Sequence, residues 1–200
     1  MNSALEVARD RVPNTDTEET ITAETYVAAT KKWLERAVIG LRLCPFAANV
    51  FLRDQIRYRV STHESTTGLL EDLSCELQLL RDADPQRCET SLLIHPHVLS
   101  DFSDYNEFLN EADATVLALG LTGELQIASF HPAYRFAGCA PDAIENYSNR
   151  SPYPMLHLLR EASLTHAVAT FPGIKDIGCN NISTLRRLGK AGWQRLGLSM

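Results

Sequence analysis

Three stretches of the chain gather residue types able to do chemistry. In Ser129-Phe130-His131-Pro132-Ala133-Tyr134-Arg135-Phe136 an apolar run ends in an imidazole, a cation and several rings. Grouped with this first stretch, Leu92-Leu93-Ile94-His95-Pro96 likewise ends an apolar run in an imidazole followed by proline. Imidazole changes charge near neutral pH, so His131 and His95 are the candidate proton-transfer pair, with Tyr134 and Arg135 beside them. The second stretch, Asn146-Tyr147-Ser148-Asn149-Arg150-Ser151-Pro152, reads as a helix start, Ser as N-cap and Pro in the first turn. Free N–H groups there favour an anion, and Arg150 can make two parallel hydrogen bonds to a carboxylate or phosphate. Asn146, Tyr147, Asn149, Arg150 and Ser151, with Tyr134, Arg135 and, further along the same expected helix, His157, are therefore candidates for holding a small anionic metabolite. The same residues also fit a plain reading in which Ser151 only caps and Arg150 pairs with a surface acid. The third stretch, Arg42-Leu43-Cys44-Pro45-Phe46, offers Cys44 as a candidate catalytic thiol. Its place at a helix C-terminus disfavours a thiolate, and inert packing is the alternative.

Composition bounds the partners. A net charge of −6 argues against a broad phosphate-backbone surface, so nucleic acid is not expected. No apolar run is long enough to span a membrane, and the first twenty residues lack the apolar centre of a signal peptide, which points to the cytoplasm. Five scattered cysteines without a Cys-x-x-Cys pair predict reduced thiols, neither a disulfide framework nor a zinc ribbon. His95-Pro96-His97 is interrupted by proline and no His-Glu-x-x-His occurs, so no metal-ligand set is predicted.

The elements that must position these residues follow from periodicity. Residues 1–20 are polar and without apolar spacing, the pattern of a flexible N-terminal arm, and residues 21–200 read as a single globular domain. Helical spacing covers 23–43 up to Pro45, 66–82 and 101–119, and alternation marks strands at 56–61 and 124–131. The short apolar run 91–95 reads as a central strand. Residues 132–150 form a long loop, 151–163 a helix, 166–171 a fourth strand and 182–196 a last helix capped by Asn180 or Asn181. Strands alternating with helices predict an α/β fold with about four mainly parallel strands flanked by helices. Parallel pairing brings the strand ends at His63, His95 and His131 to one rim. The alternative is an α+β ferredoxin-like sandwich with an inserted helix, whose third strand is reversed and carries His131 to the opposite end.

Two resemblances add to this reading. Gly40-Leu41-Arg42-Leu43-Cys44-Pro45-Phe46-Ala47, Leu93-Ile94-His95-Pro96 with Asp101-Phe102-Ser103-Asp104-Tyr105-Asn106, Phe130-His131-Pro132 and Asn149-Arg150-Ser151-Pro152-Tyr153-Pro154 with Leu156-His157-Leu158-Leu159-Arg160-Glu161 run through the chain from Ala23 to Leu196. With these motifs it resembles a bacterial family catalogued as a domain of unknown function (DUF1415-like), which implies a bacterial cytoplasmic protein and names no reaction. Cys44-Pro45 with Ala47-Ala48-Asn49 resembles, in part, the proximal segment of haem-thiolate peroxygenases, although no proline precedes Cys44 and no His-Gly follows Asn49. The expectation drawn from the residues is a small-molecule enzyme, with arginines at a helix N-terminus holding an anionic substrate and histidine as acid and base. The alternatives are a non-catalytic metal, haem or metabolite binder, and a plain interaction domain.

Overall fold

Apolar runs at strand spacing build β1 (Ile56–Val60), β2 (Thr90–Ile94), β3 (Leu125–Phe130) and β4 (Met155–Arg160), which pair into one sheet in the order β1-β2-β4-β3. The computed structural model describes residues 15–170 and 176–198. β1 and β2 are parallel, whereas β4 is antiparallel to β2 on one side and to β3 on the other. The sheet is therefore mixed, which corrects the expectation of a mainly parallel one. The correction begins at 151–163, where a strand stands in place of the expected helix. Met155-Leu156-His157-Leu158-Leu159 is covered on both faces, and a strand so buried loses the period of two that separates it from a helix.

A second correction arises from the first. Residues Glu161–Thr170, part of which was expected to be the fourth strand, form helix α5, and Phe171 lies outside the described residues. Because β4 alone is reversed, β1, β2 and β3 still run in one direction. Ile94 and Phe130 both stand opposite Met155, and Val60 stands opposite Ile94. Ser61, His95 and His131 therefore leave the sheet at the same level on one rim. The ferredoxin-like alternative, with a reversed third strand, is not the arrangement found.

Helices cover both faces. α3 (Thr66–Asp82) starts at Ser65, whose hydroxyl accepts from the Gly68 N–H, and α4 (Phe102–Ala118) starts at Asp101, which accepts from the Ser103 and Asp104 N–H groups. Leu69, Leu73, Leu77 and Leu80 of α3 and Tyr105, Phe108 and Ala112 of α4 pack on Leu93, Leu125, Leu156 and Leu158. The opposite face buries Leu92, Ile94 and Met155 under Trp33, Leu34, Ala37, Leu185 and Trp193. These belong to α1 (Thr15–Trp33), to the π-helical turn Leu34–Ile39 that extends it, and to α6 (Ile177–Gln194). α1 thus begins inside the stretch expected to be a loose arm, while residues 1–14 lie outside the described residues. The short α2 (Ala47–Leu52) was not expected, and α6 begins at Ile177, with Asp176 in the N-cap position expected for Asn180 or Asn181.

One ionic contact is built into the α3 face. Arg57 of β1 donates from Nε and Nη2 to the Glu76 carboxylate at 2.8 and 3.0 Å, and the Ser91 hydroxyl donates to Glu76 Oε2 at 2.9 Å. Glu76 is 4% exposed, so this carboxylate depends on those three donors in place of water.

Candidate functional site

The predicted histidine pair does converge, around the ring of Tyr105. Counting alternate residues outward from Leu93 and Ile127 puts His95 and His131 on the α3–α4 face of the sheet. The His95 ring stacks on Tyr105 at 5.8 Å between centroids, and His131 lies 5.0 Å from Tyr105 on its other contact. The Tyr105 hydroxyl donates to the Met155 carbonyl at 2.9 Å and accepts from the Phe130 N–H at 3.1 Å. Consecutive carbonyls of the loop after β2 then fix the two imidazoles. Nδ1 of His95 donates to Val98 O and Nε2 of His131 donates to Leu99 O, each at 3.1 Å. Leu99 reaches this position with a φ of 60°, a conformation uncommon outside glycine.

These contacts set the protonation states. A carbonyl only accepts, so each bonded nitrogen carries its hydrogen. His131 Nδ1 in turn accepts from the Ala133 N–H at 3.0 Å, so both of its nitrogens are engaged by backbone. His95 keeps a bare Nε2 lone pair that is buried and has no partner among the described residues. Burial holds both imidazoles below the usual range, His95 down to about 4. His131 in this arrangement presents no nitrogen to a ligand. His63 shares the rim but turns onto α3, its Nε2 standing 4.0 Å from Asp72 Oδ2.

The second predicted stretch also lies here, and its polar groups are spent on one another. Arg150 does not stand at a helix N-terminus, because β4 comes after it. Its Nε donates to Tyr134 O at 3.3 Å and its Nη2 to Pro141 O at 2.5 Å, while its guanidinium lies 4.4 Å from the Tyr147 ring. Asn146 is fully buried, accepting from the Phe136 N–H and donating to Ala140 O. Asn149 donates to Ser129 O, and its carbonyl accepts from the His131 N–H. The Ser151 hydroxyl donates to Tyr153 O, so it caps no helix. Tyr134 packs on Phe102 and Phe136, and Tyr147 packs edge-on to Trp193. His157 faces the other side of the sheet and donates from Nε2 to Thr90 Oγ1, whose own hydrogen goes to Leu158 O. Arg135 is exposed and makes no hydrogen bond or ion pair with the described residues. The two His-Pro junctions and the Asn/Arg segment thus meet as an interlocked set of loops, with Arg150 as the clip.

An open cleft lies elsewhere, at the third predicted stretch. It measures about 870 Å³, the size of a small-molecule site, and Cys44 lines it. One wall is the end of the π-helical turn with the segment after it, through Ile39, Gly40, Leu41, Arg42, Cys44, Pro45 and Ala48. The other is the first three turns of α6, through Ile177, Asn180, Asn181, Thr184 and Arg187. Asn181 Nδ2 donates to Leu43 O at 3.0 Å, which ties the two walls together.

Several local irregularities coincide at this cleft. A π-helical turn inserts an extra residue per turn, a feature concentrated at functional sites. Gly40 closes it, since a Cβ there would stand 2.5 Å from the Arg36 carbonyl oxygen. Arg42 has a φ of 56°, which costs an arginine on the order of 1 kcal/mol and orients its side chain differently from a helical continuation. Arg42 and Arg187 make no hydrogen bond or ion pair with the described residues, and no carboxylate lines the cleft. By contrast Arg186 and Lys190 of the same helix are paired with Glu145 and Asp142.

Sequence reasoning singled out Cys44 within a motif that contains Arg42, but missed Asn180, Asn181, Thr184 and Arg187 as site residues. Their signal was present: they recur with Ile177 at intervals of three and four, a polar stripe along one helix face. Among the described residues no three of His, Cys, Asp and Glu stand together as a metal-ligand set. The five cysteines are free thiols, and no described helix is long and apolar enough to cross a membrane. No curated protein and no solved structure matches the chain. The family model of DUF1415, described as a protein of unknown function, matches residues 25–195, and the chain belongs to that family.

Proposed function

We propose that the protein is a small-molecule enzyme acting on an anionic metabolite held by Arg42 and Arg187 in the cleft between the Gly40–Pro45 turn and α6, with Cys44 as its reactive group. One observation carries this reading: two guanidinium groups without acidic partners among the described residues line a concave surface, one of them presented by a left-handed backbone. Two cations left unpaired on one surface repel each other, and an anion between them relieves that cost while making charge-assisted hydrogen bonds. Asn180 and Thr184 supply neutral donors beside them. The thiol of Cys44 is the nucleophile such a cleft offers. Free cysteines support a reducing, cytoplasmic setting. The histidines act here as structural groups, which departs from the acid–base role expected of them.

Calorimetric titration of the full chain with phosphate, citrate and short carboxylic acids tests the anion site. Arg42→Ala and Arg187→Ala are each expected to weaken the best anion about tenfold or more, the scale of a hydrogen bond to a charged group. The same anion is expected to slow alkylation of Cys44 by iodoacetamide, read by site-resolved mass spectrometry. If both arginine variants bind as the wild type does and Cys44 reacts at an unchanged rate, the cleft is not the site.

A further inference from the structure

Resting on that reading, we infer that the natural occupant of the cleft is an elongated phosphate monoester, its dianionic head between Arg42 and Arg187 and its apolar body against Ile39, Leu41 and Pro45. Two guanidinium groups unpaired among the described residues, with no lining carboxylate, are matched by a dianion, and a single negative charge leaves one of them uncompensated. A phosphate monoester carries close to two charges on one head at neutral pH. That concentrates the polar recognition at one place and leaves the rest of the molecule free of charge.

The lining is divided in the same way. The polar donors come from α6 and from Arg42, whereas the wall contributed by Ile39, Leu41 and Pro45 is apolar and offers nothing to a second charged group. A short dicarboxylate would leave that wall wet. Length comes from the helix: Ile177 and Arg187 both line the cleft and are ten residues apart, so it runs about 15 Å along α6. Inorganic phosphate fills a small part of that span.

The test is a series of n-alkyl phosphates from ethyl to octyl, with matched n-alkyl carboxylates, glutarate and inorganic phosphate, titrated into the full chain at constant ionic strength. Affinity is expected to rise about threefold for each added methylene, and each phosphate is expected to exceed the carboxylate of equal length about tenfold or more. Both gains should vanish in the Arg42→Gln/Arg187→Gln double variant, and the chain-length dependence alone should flatten in Leu41→Asn. Thermal melts of each variant establish that it is folded. Arginine-dependent binding of phosphate without chain-length dependence, or tighter binding of glutarate than of any alkyl phosphate, overturns the inference and leaves the anion site standing. Binding that the double variant does not change overturns both.

Discussion

On acidification from neutral pH to about pH 4, His95 alone is expected to remove about 3 kcal/mol of folding stability. The ring is completely buried, carries its hydrogen on Nδ1 toward Val98, and has a bare Nε2 facing no donor among the described residues. A second proton would place an unpaired charge inside the α3–α4 layer, so burial holds the folded-state value down to about 4, against the ordinary 6.5 of the exposed ring. In the unfolded chain the ring takes up its proton as the pH falls through 6.5, whereas the folded protein resists until about 4. Stability is therefore full above 6.5, falls through that window and levels off below it, and the gap between the two values corresponds to about 3 kcal/mol. His131 and His157 are displaced in the same direction by burial and steepen the loss. His95→Asn keeps a donor toward Val98 and does not titrate. Its urea midpoint, measured from pH 7.5 to 4, should be lower than wild type at neutral pH but fall less steeply. Parallel curves for the two proteins would show that His95 is not the sensitive group.

Removing Arg57 should cost about 3 kcal/mol or more, which for a chain of this length lowers the melting temperature by roughly 6 to 12 °C. The reason lies in what remains. Glu76 is buried and bonded to Arg57 twice and to Ser91 once, so Arg57→Ala leaves a desolvated carboxylate with a single hydroxyl donor. The arginine is 39% exposed in its side chain and can turn to water when the glutamate is removed, so the two single variants should be unequal. Glu76→Leu in the Arg57→Ala background deletes the orphaned charge and should restore part of the loss. A double variant less stable than Arg57→Ala would mean that the cost lies in packing of the arginine stem and not in the carboxylate.

The parts legible in the sequence were those with a single exposed face. α3 and α4 carry an apolar stripe on one side and a capping residue at the start, Ser65 or Asp101, and both lie where the periodicity puts them. β4 is buried on both faces, and its Leu156 and Leu159 mimic a helical interval, which is why it read as a helix. That one error also misplaced Arg150, because an anion site at a helix start requires the helix. The common rim of His95 and His131 survived the error, since the reversed strand leaves the three around it pointing one way. The state of those histidines could not be read from the chain, because it depends on carbonyls of a separate loop, at Val98 and Leu99. The cleft was half legible: Cys44 belongs to a recognisable motif, whereas Arg187 comes to line the same cleft as Arg42 only after α6 folds back across the sheet. The left-handed turn at Arg42 has no mark in residue type, because arginine is not a residue that favours it.

The position of β4 also bears on how the molecule is made. The strand synthesised last is hydrogen-bonded on both edges, while β3, which ends at Phe130, has no neighbour in the sheet except β4. A nascent chain that has emerged only through Phe130 can pair β1 with β2 but holds β3 by its crossover helix alone. Assembly of the sheet therefore waits for Arg160 to clear the ribosome, and an inner strand is the last to take its place.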